Sequence, residues 1–193
     1  PDNEDGPDFY TLLLGGTIGM LVATSANHLL MIFVGVEMMS VPSYAMVGFL
    51  KGRKLSSEAS LKYVIYGAGA AGVMLYGISL LAGMLGTANL PEMAGRLNLI
   101  LASGAGMADP TVRTVVLAAL MVLVGIAFKL SIVPFHFWCP DAFEGASAEV
   151  GGFLSVASKA AAFGLLVRFC VALMGHNGPM LTEINFSLGI GLG

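Results

Sequence analysis

Charge is what this chain of 193 residues has least of: Asp, Glu, Lys and Arg together make up 11% of it, against about a quarter in a soluble domain. That shortage excludes an ordinary water-facing surface, and a hydrophobic share of 56% with mean hydropathy +0.85 places the chain in lipid. Cysteine is nearly missing. Cys139 and Cys170 stand far apart with no CxxC spacing, so neither a disulfide framework nor a thiolate metal set has support. His28, His136 and His176 share no ligand spacing with each other or with the cysteines. No dinucleotide fingerprint, P-loop or haem attachment motif occurs. Redox chemistry, if the protein serves any, is expected on another chain. Residues 1–8 are acidic and hold no basic residue, so the first apolar run lacks the charged start of a secretory signal.

Long apolar runs are what the chain has instead. A crossing helix needs about 20 mostly apolar residues, and runs of this kind are read at 10–26, 29–50, 59–84, 111–144 and 148–174, with a partial next helix from about 180. The opening on Pro1 and the short final run read as a piece of a longer polypeptide. Lys51, Arg53 and Lys54 cluster in one loop, which the positive-inside rule puts on the negative side of the membrane together with the N-terminal segment. Residues 87–110 then lie opposite, with a short interfacial helix expected at 91–101.

Four charged side chains nevertheless sit inside these runs: Glu37, Lys62, Lys129 and Lys159. Each costs roughly 2.5 to 3.5 kcal/mol at a helix centre, so an intramembrane ionisable group points by default to ion or proton movement. Plainer readings stand beside that one. Glu37, Lys129 and Lys159 also suit a buried structural ion pair. Lys62 lies only a few residues inside its helix and Arg168 near the end of its own, where long basic side chains snorkel to the surface.

The run 111–144 is too long to cross once as a straight helix, and it contains Pro134. Proline removes one backbone donor and clashes with the carbonyl four residues earlier, that of Leu130, so a break is expected near 131–134, beside Lys129. Irregular backbone survives at membrane depth only against protein or trapped water, and broken helices with a charge at the break are where transporters bind ions. His136, just past the break, suits a proton relay or a cap for freed carbonyls. Trp138 and Tyr10 suit the aromatic belt at the membrane surface, and Asp141 and Glu144 suit orienting the loop. Gly67, Gly69 and Gly72 in one run, and Gly151, Gly152, Ala160, Ala161 and Gly164 in another, offer small surfaces for tight helix pairing.

The run Phe128-Lys129-Leu130-Ser131, continuing through Pro134 and His136 to Pro140-Asp141-Ala142-Phe143-Glu144-Gly145-Ala146, resembles the signature of the antiporter-like membrane subunits of respiratory complex I, subunit N type. Three further segments resemble that family in the same order: Phe33-Val34-Gly35-Val36-Glu37-Met38-Met39-Ser40, Ser56-Ser57-Glu58-Ala59-Ser60-Leu61-Lys62-Tyr63 and Phe153-Leu154-Ser155-Val156-Ala157-Ser158-Lys159-Ala160. The resemblance covers residues 8 to about 174. Two positions depart from it: Cys139 stands where relatives often carry a small or hydroxyl residue, and Ser147-Ala148-Glu149 replaces a Pro-Thr-Pro-like stretch.

The resemblance implies an all-α fold, a polytopic transmembrane helix bundle with one proline-broken helix, corresponding to one five-helix repeat of the antiporter-like inverted-repeat fold. It implies a proton-translocating subunit of an NADH:quinone oxidoreductase, driven by quinone reduction elsewhere, with Glu37 near Lys129, Lys159 as the central carrier, and Lys62 and His136 along the path. It also implies that this chain belongs to a translocase while holding no cofactor, with NADH, FMN, iron–sulfur clusters and quinone on partner subunits. The implied partners are adjacent antiporter-like subunits, a lateral helix from a relative and the lipid bilayer, with no nucleic acid. The implied location is the bacterial inner (plasma) membrane, an organellar inner membrane being the alternative. Rival readings are an Mrp-type cation/proton antiporter subunit, a ferredoxin- or hydrogenase-linked relative, and a structural assembly subunit with frozen charges.

Overall fold

The apolar runs fold into helices throughout the described residues of the computed structural model, which are 6–50, 52–103 and 108–174. Lys51, His176 and the partial helix from about 180 lie outside them. The order is α1 (Gly6–Ser25), α2 (Leu29–Val47), α3 (Lys54–Leu85), α4 (Leu90–Ala102), α5 (Pro110–Leu130), α6 (Trp138–Gly145), α7 (Ala148–Phe153) and α8 (Lys159–Met174), with a π-helical turn at Leu154–Ser158 joining the last two. Local chemistry sets several of the ends. Asp109 accepts from the Thr111 N–H at 2.7 Å with Pro110 opening α5, which satisfies one donor the helix itself leaves free. Gly86 closes α3 at φ 65°, in the left-handed region that glycine enters without steric cost.

Among the described residues, four helical stretches are long and apolar enough to cross a membrane: Leu29–Val47, Lys54–Leu85, Pro110–Leu130 and Ala148–Ala172. In the first run α1 has the length, at 20 residues, while Gly15, Gly16, Thr17 and Gly19 dilute its apolar content. Its outer face is still apolar, with Tyr10, Leu14, Ile18 and Leu21 exposed at helical spacing. The second run ends at Val47 rather than at 50, and the third begins at Lys54 rather than at 59. A buried hydrogen bond from Ser56 Oγ to the Val47 carbonyl, 2.6 Å, ties those two ends together.

Helix pairing relies on glycines, though mostly on others than those the sequence singled out. A Cβ on Gly35 would meet the Ala23 Cα at 2.7 Å, and one on Gly19 would run into the backbone of Met38 and Met39, which fixes α1 against α2 as antiparallel neighbours. Between α3 and α5, a Cβ on Gly77 would stand 2.7 Å from the Ala118 carbonyl oxygen. Gly67 does admit a neighbour, the Tyr44 hydroxyl, whereas Gly69, Gly72 and Gly152 face open space. Van der Waals contact drives such pairing in lipid, so Gly77→Ala is expected to destabilise the bundle by about 1 to 3 kcal/mol. Gly83→Ala, at a site with nothing within 4 Å, is the control. Thermal unfolding of the two purified variants checks this, with a lowered midpoint for Gly77→Ala alone.

Two apolar clusters stack along the bundle. One gathers Leu29, Ile32, Met74, Ile78, Val122 and Phe169 toward the end that holds the α1–α2 and α3–α4 links. The other gathers Tyr44, Tyr63, Phe128, Trp138 and Leu154 toward the α2–α3 link. At the first end the two links are laced together, the Leu29 N–H donating to Ala88 O at 2.9 Å and the Leu90 N–H to Asn27 O at 2.8 Å. The helix expected at 91–101 is α4. It turns Leu90 and Met93 inward with Leu97 and Ile100 behind them, and it packs against α8 and α3.

Candidate functional site

The site forms where α5 stops. The helix ends at Leu130, and Ser131 takes φ 56°, a left-handed conformation that few non-glycine residues adopt. Its N–H donates to the Phe128 carbonyl at 3.1 Å, and the Ile132 N–H donates to Ala127 O at 2.9 Å. Turns carry the chain through Pro134 to α6. The Phe128 carbonyl also accepts from Trp138 Nε1 at 2.9 Å. This corrects two sequence expectations: the indole rather than His136 takes that carbonyl, and Trp138 is 3% exposed instead of lying in a surface belt. A buried indole needs a partner for its N–H, and the broken helix end supplies one.

Lys129, one residue before the end of α5, points into this region and is itself 3% exposed. Among the described residues its Nζ has no hydrogen-bond partner. It stands 5.5 Å from the centre of the Tyr44 ring, 5.6 Å from that of Tyr63 and 5.9 Å from that of Phe128, a cation held over aromatic faces. Tyr63 in turn stacks on Trp138 at 4.3 Å and 9°. Three more polar atoms nearby in the chain or in the box are buried without partners: Ser131 Oγ, His136 Nδ1 and Tyr63 Oη. Such groups are rare in folded proteins and call for an explanation, an unseen water or a functional role among them.

Glu37 approaches from α2. With Lys129, Ser40, Tyr44 and Gly67 it lines a cavity of about 10 Å³, enough for roughly one water molecule. Among the described residues the ion pairs within 4.0 Å are those of Lys62, so Glu37 and Lys129 share a chamber without a direct salt bridge. Around Glu37 the helix is unusually polar: Ser40 donates to the Val36 carbonyl, Ser43 donates to that of Met39 at 2.6 Å, and Pro42 removes a backbone donor. Glu37 also borders an open groove on the outer side of α2, beside Val34, Met38 and Val41.

The other site residues lie apart from this pair. Lys62 pairs with Glu58 at 2.8 Å and with Asp141 at 3.3 Å, so it fastens α3 to α6 with its side chain 40% exposed. Lys159 is half-buried, with Nζ 6.0 Å from the centre of the Phe143 ring, and shares no described cavity with Lys129. The first residue of α8 and eleven residues from the start of α7, it lies about 16 Å from that start at 1.5 Å per residue, about half the thickness of a hydrocarbon core. His136 stacks on Phe137 at 4.6 Å. Arg168 does more than snorkel: it donates to the Thr24 carbonyl at 2.7 Å and to Asn27 Oδ1. Among the described residues no group of three or more His, Cys, Asp or Glu is placed to hold a metal ion.

Sequence reasoning missed the aromatic box and the π-helical turn. Tyr44 had a signal, since seven residues after Glu37 it returns to the same helix face. Tyr63 lies on another helix and had none. The π-helical turn ends directly before Lys159, and such turns are frequent at functional sites, but no residue pattern announces it.

Residues 26–191 match the family described as NADH:quinone oxidoreductase/Mrp antiporter, transmembrane. NADH-quinone oxidoreductase subunit N from Anaeromyxobacter sp. (strain Fw109-5) is 43% identical over 173 residues, which is 89% of this chain and 33% of the relative. A chain of respiratory complex I from Thermus thermophilus superposes with a TM-score of 0.69 at 37% identity, over 83% of this chain and 34% of the other. A chain of the Mrp complex from Dietzia sp. DQ12-45-1b gives 0.69 at 26% identity, over 90% and 31%. The chain spans about a third of the length of the relatives it matches.

Proposed function

Because the chain belongs to the NADH:quinone oxidoreductase/Mrp antiporter family of integral membrane proteins, we propose that it carries part of a proton path in a complex I membrane arm. The observation that supports this most is Lys129: a cation 3% exposed, without a hydrogen-bond partner, facing Glu37 across a cavity at a helix break. A purely structural lysine would be paired, because an unpaired buried charge is strongly destabilising.

The path runs from Glu37 and Lys129 to Lys159, with Lys62 and His136 along it and water joining the separated groups. Two unit charges about 6 Å apart at an effective dielectric near 20 interact by roughly 2.8 kcal/mol. Moving one charge through 100 mV takes about 2.3 kcal/mol. A change in the Glu37–Lys129 separation is therefore comparable in energy to the work of pumping one proton, and it alters whether Lys159 holds its proton. Ser131 and His136, with buried unpartnered atoms at the break, give water places to bind. Electron transfer belongs to other subunits, and so do NADH, FMN, iron–sulfur clusters and quinone. The open groove beside Glu37 and the exposed apolar faces of α1 and α2 fit a neighbouring antiporter-like subunit in a bacterial inner membrane. With these faces covered, α1 makes the fifth crossing beside the four more apolar ones.

The Mrp likeness gives a second reading, cation exchange, a weaker one because the identity there is 26% against 43% for subunit N. Sealed vesicles of the assembled complex decide between them. NADH-driven proton movement is expected to persist in sodium-free medium and to collapse with a protonophore. A strict sodium requirement would favour the antiporter.

A further inference from the structure

Arg168 is a charge in the bundle that the proton path does not use. Its hydrogen bonds to the Thr24 carbonyl and to Asn27 Oδ1 occupy two donors of the five on a guanidinium. No carboxylate among the described residues lies within 4.0 Å of it. Glu92, the acidic residue of the neighbouring α4, faces away to Thr87, whose hydroxyl donates to it at 2.7 Å. The positive charge is thus held in place by neutral acceptors, with no counter-ion among the described residues.

Beside it, a groove of about 270 Å³ opens between α4 and α8. Its apolar walls are Leu90, Pro91, Ala94, Val171 and Ala172, with Asn27 and Arg168 the polar groups of its lining. It lies at the end of the bundle where the α1–α2 and α3–α4 links are laced together, and the ends of crossing helices are where lipid headgroups are met. We propose that this groove binds an anionic phospholipid, the phosphate on Arg168 and an acyl chain along the walls. The apolar walls offer free phosphate nothing. A zwitterionic headgroup would bring an ammonium for which the groove has no carboxylate. Guanidinium suits phosphate in particular, since its planar fork donates two parallel hydrogen bonds. A lipid seated there would bridge α4 to α8.

The test compares the assembled, detergent-purified complex with its Arg168→Gln and Ala94→Phe variants. Arg168→Gln removes the charge; Ala94→Phe fills the groove and keeps it. Native mass spectrometry counts phosphatidylglycerol and phosphatidylcholine retained after titration with each. Both variants are expected to retain one phosphatidylglycerol fewer per complex, with phosphatidylcholine unchanged. An unchanged phosphatidylglycerol count in Ala94→Phe overturns the proposal, even if Arg168→Gln fails to assemble. Displacement of the lipid by millimolar inorganic phosphate also overturns it, because the site would then be a simple anion site.

Discussion

Lys129→Ala is expected to lower the proton yield per NADH of the assembled complex by about tenfold or more, at matched assembly, in sealed vesicles. The expectation follows from its surroundings. Lys129 Nζ has no hydrogen-bond partner to lose and is enclosed by Tyr44, Tyr63 and Phe128. Truncation therefore leaves the indole bond to the Phe128 carbonyl and the aromatic stack intact. Removing the buried ammonium relieves its cost of desolvation, against which stand the lost attraction to Glu37 and the cavity left behind. These opposing effects leave the variant folded and assembled while it pumps poorly, a combination that a structural lysine does not produce. Thermal unfolding and dye-monitored acidification of the same preparation separate the two quantities. Loss of both stability and pumping in parallel would assign Lys129 to the scaffold.

Glu37→Gln is the second large effect. The substitution keeps shape and hydrogen-bonding capacity beside Ser40 and Tyr44, and it removes only the charge. If the charges stand about 6 Å apart, an interaction of roughly 2.8 kcal/mol is lost with the carboxylate, which changes a protonation equilibrium about a hundredfold. Proton yield is expected to fall about tenfold, while Glu37→Asp, which preserves the charge, retains most of it. Equal pumping by Glu37→Gln and the parent would show that the shared cavity has no electrostatic role.

The charges inside apolar runs were the legible part of the site. A charge in lipid needs a reason, and sequence alone reveals it once the runs are recognised; Pro134 likewise marks the helix break because proline's chemistry is local. What stayed hidden depends on distant parts of the chain meeting. Trp138 looked like a membrane-surface residue because its ring is amphipathic, and only the folded chain shows Phe128 O waiting for its N–H. Lys62 looked free to snorkel until α6 brought Asp141 to it. Gly19, Gly35 and Gly77 carry no mark that separates them from Gly69 or Gly72, since close approach belongs to the pair of helices and not to the residue. The fold was easier to read than the site for the same reason: span length and hydropathy are properties of one segment.

Lys159 is the link on which the account turns, because the path needs a carrier on α8 and the structure holds Lys159 apart from the Lys129 chamber, half-buried behind a π-helical turn. The decisive measurement is the proton yield per NADH oxidised in sealed vesicles of the complete complex, parent against Lys159→Ala, at matched assembly. A joint fall in electron transfer and in pumping is the expected result and makes Lys159 part of a coupled route. A full proton yield from the assembled variant would contradict the account and leave the intramembrane lysine a structural element.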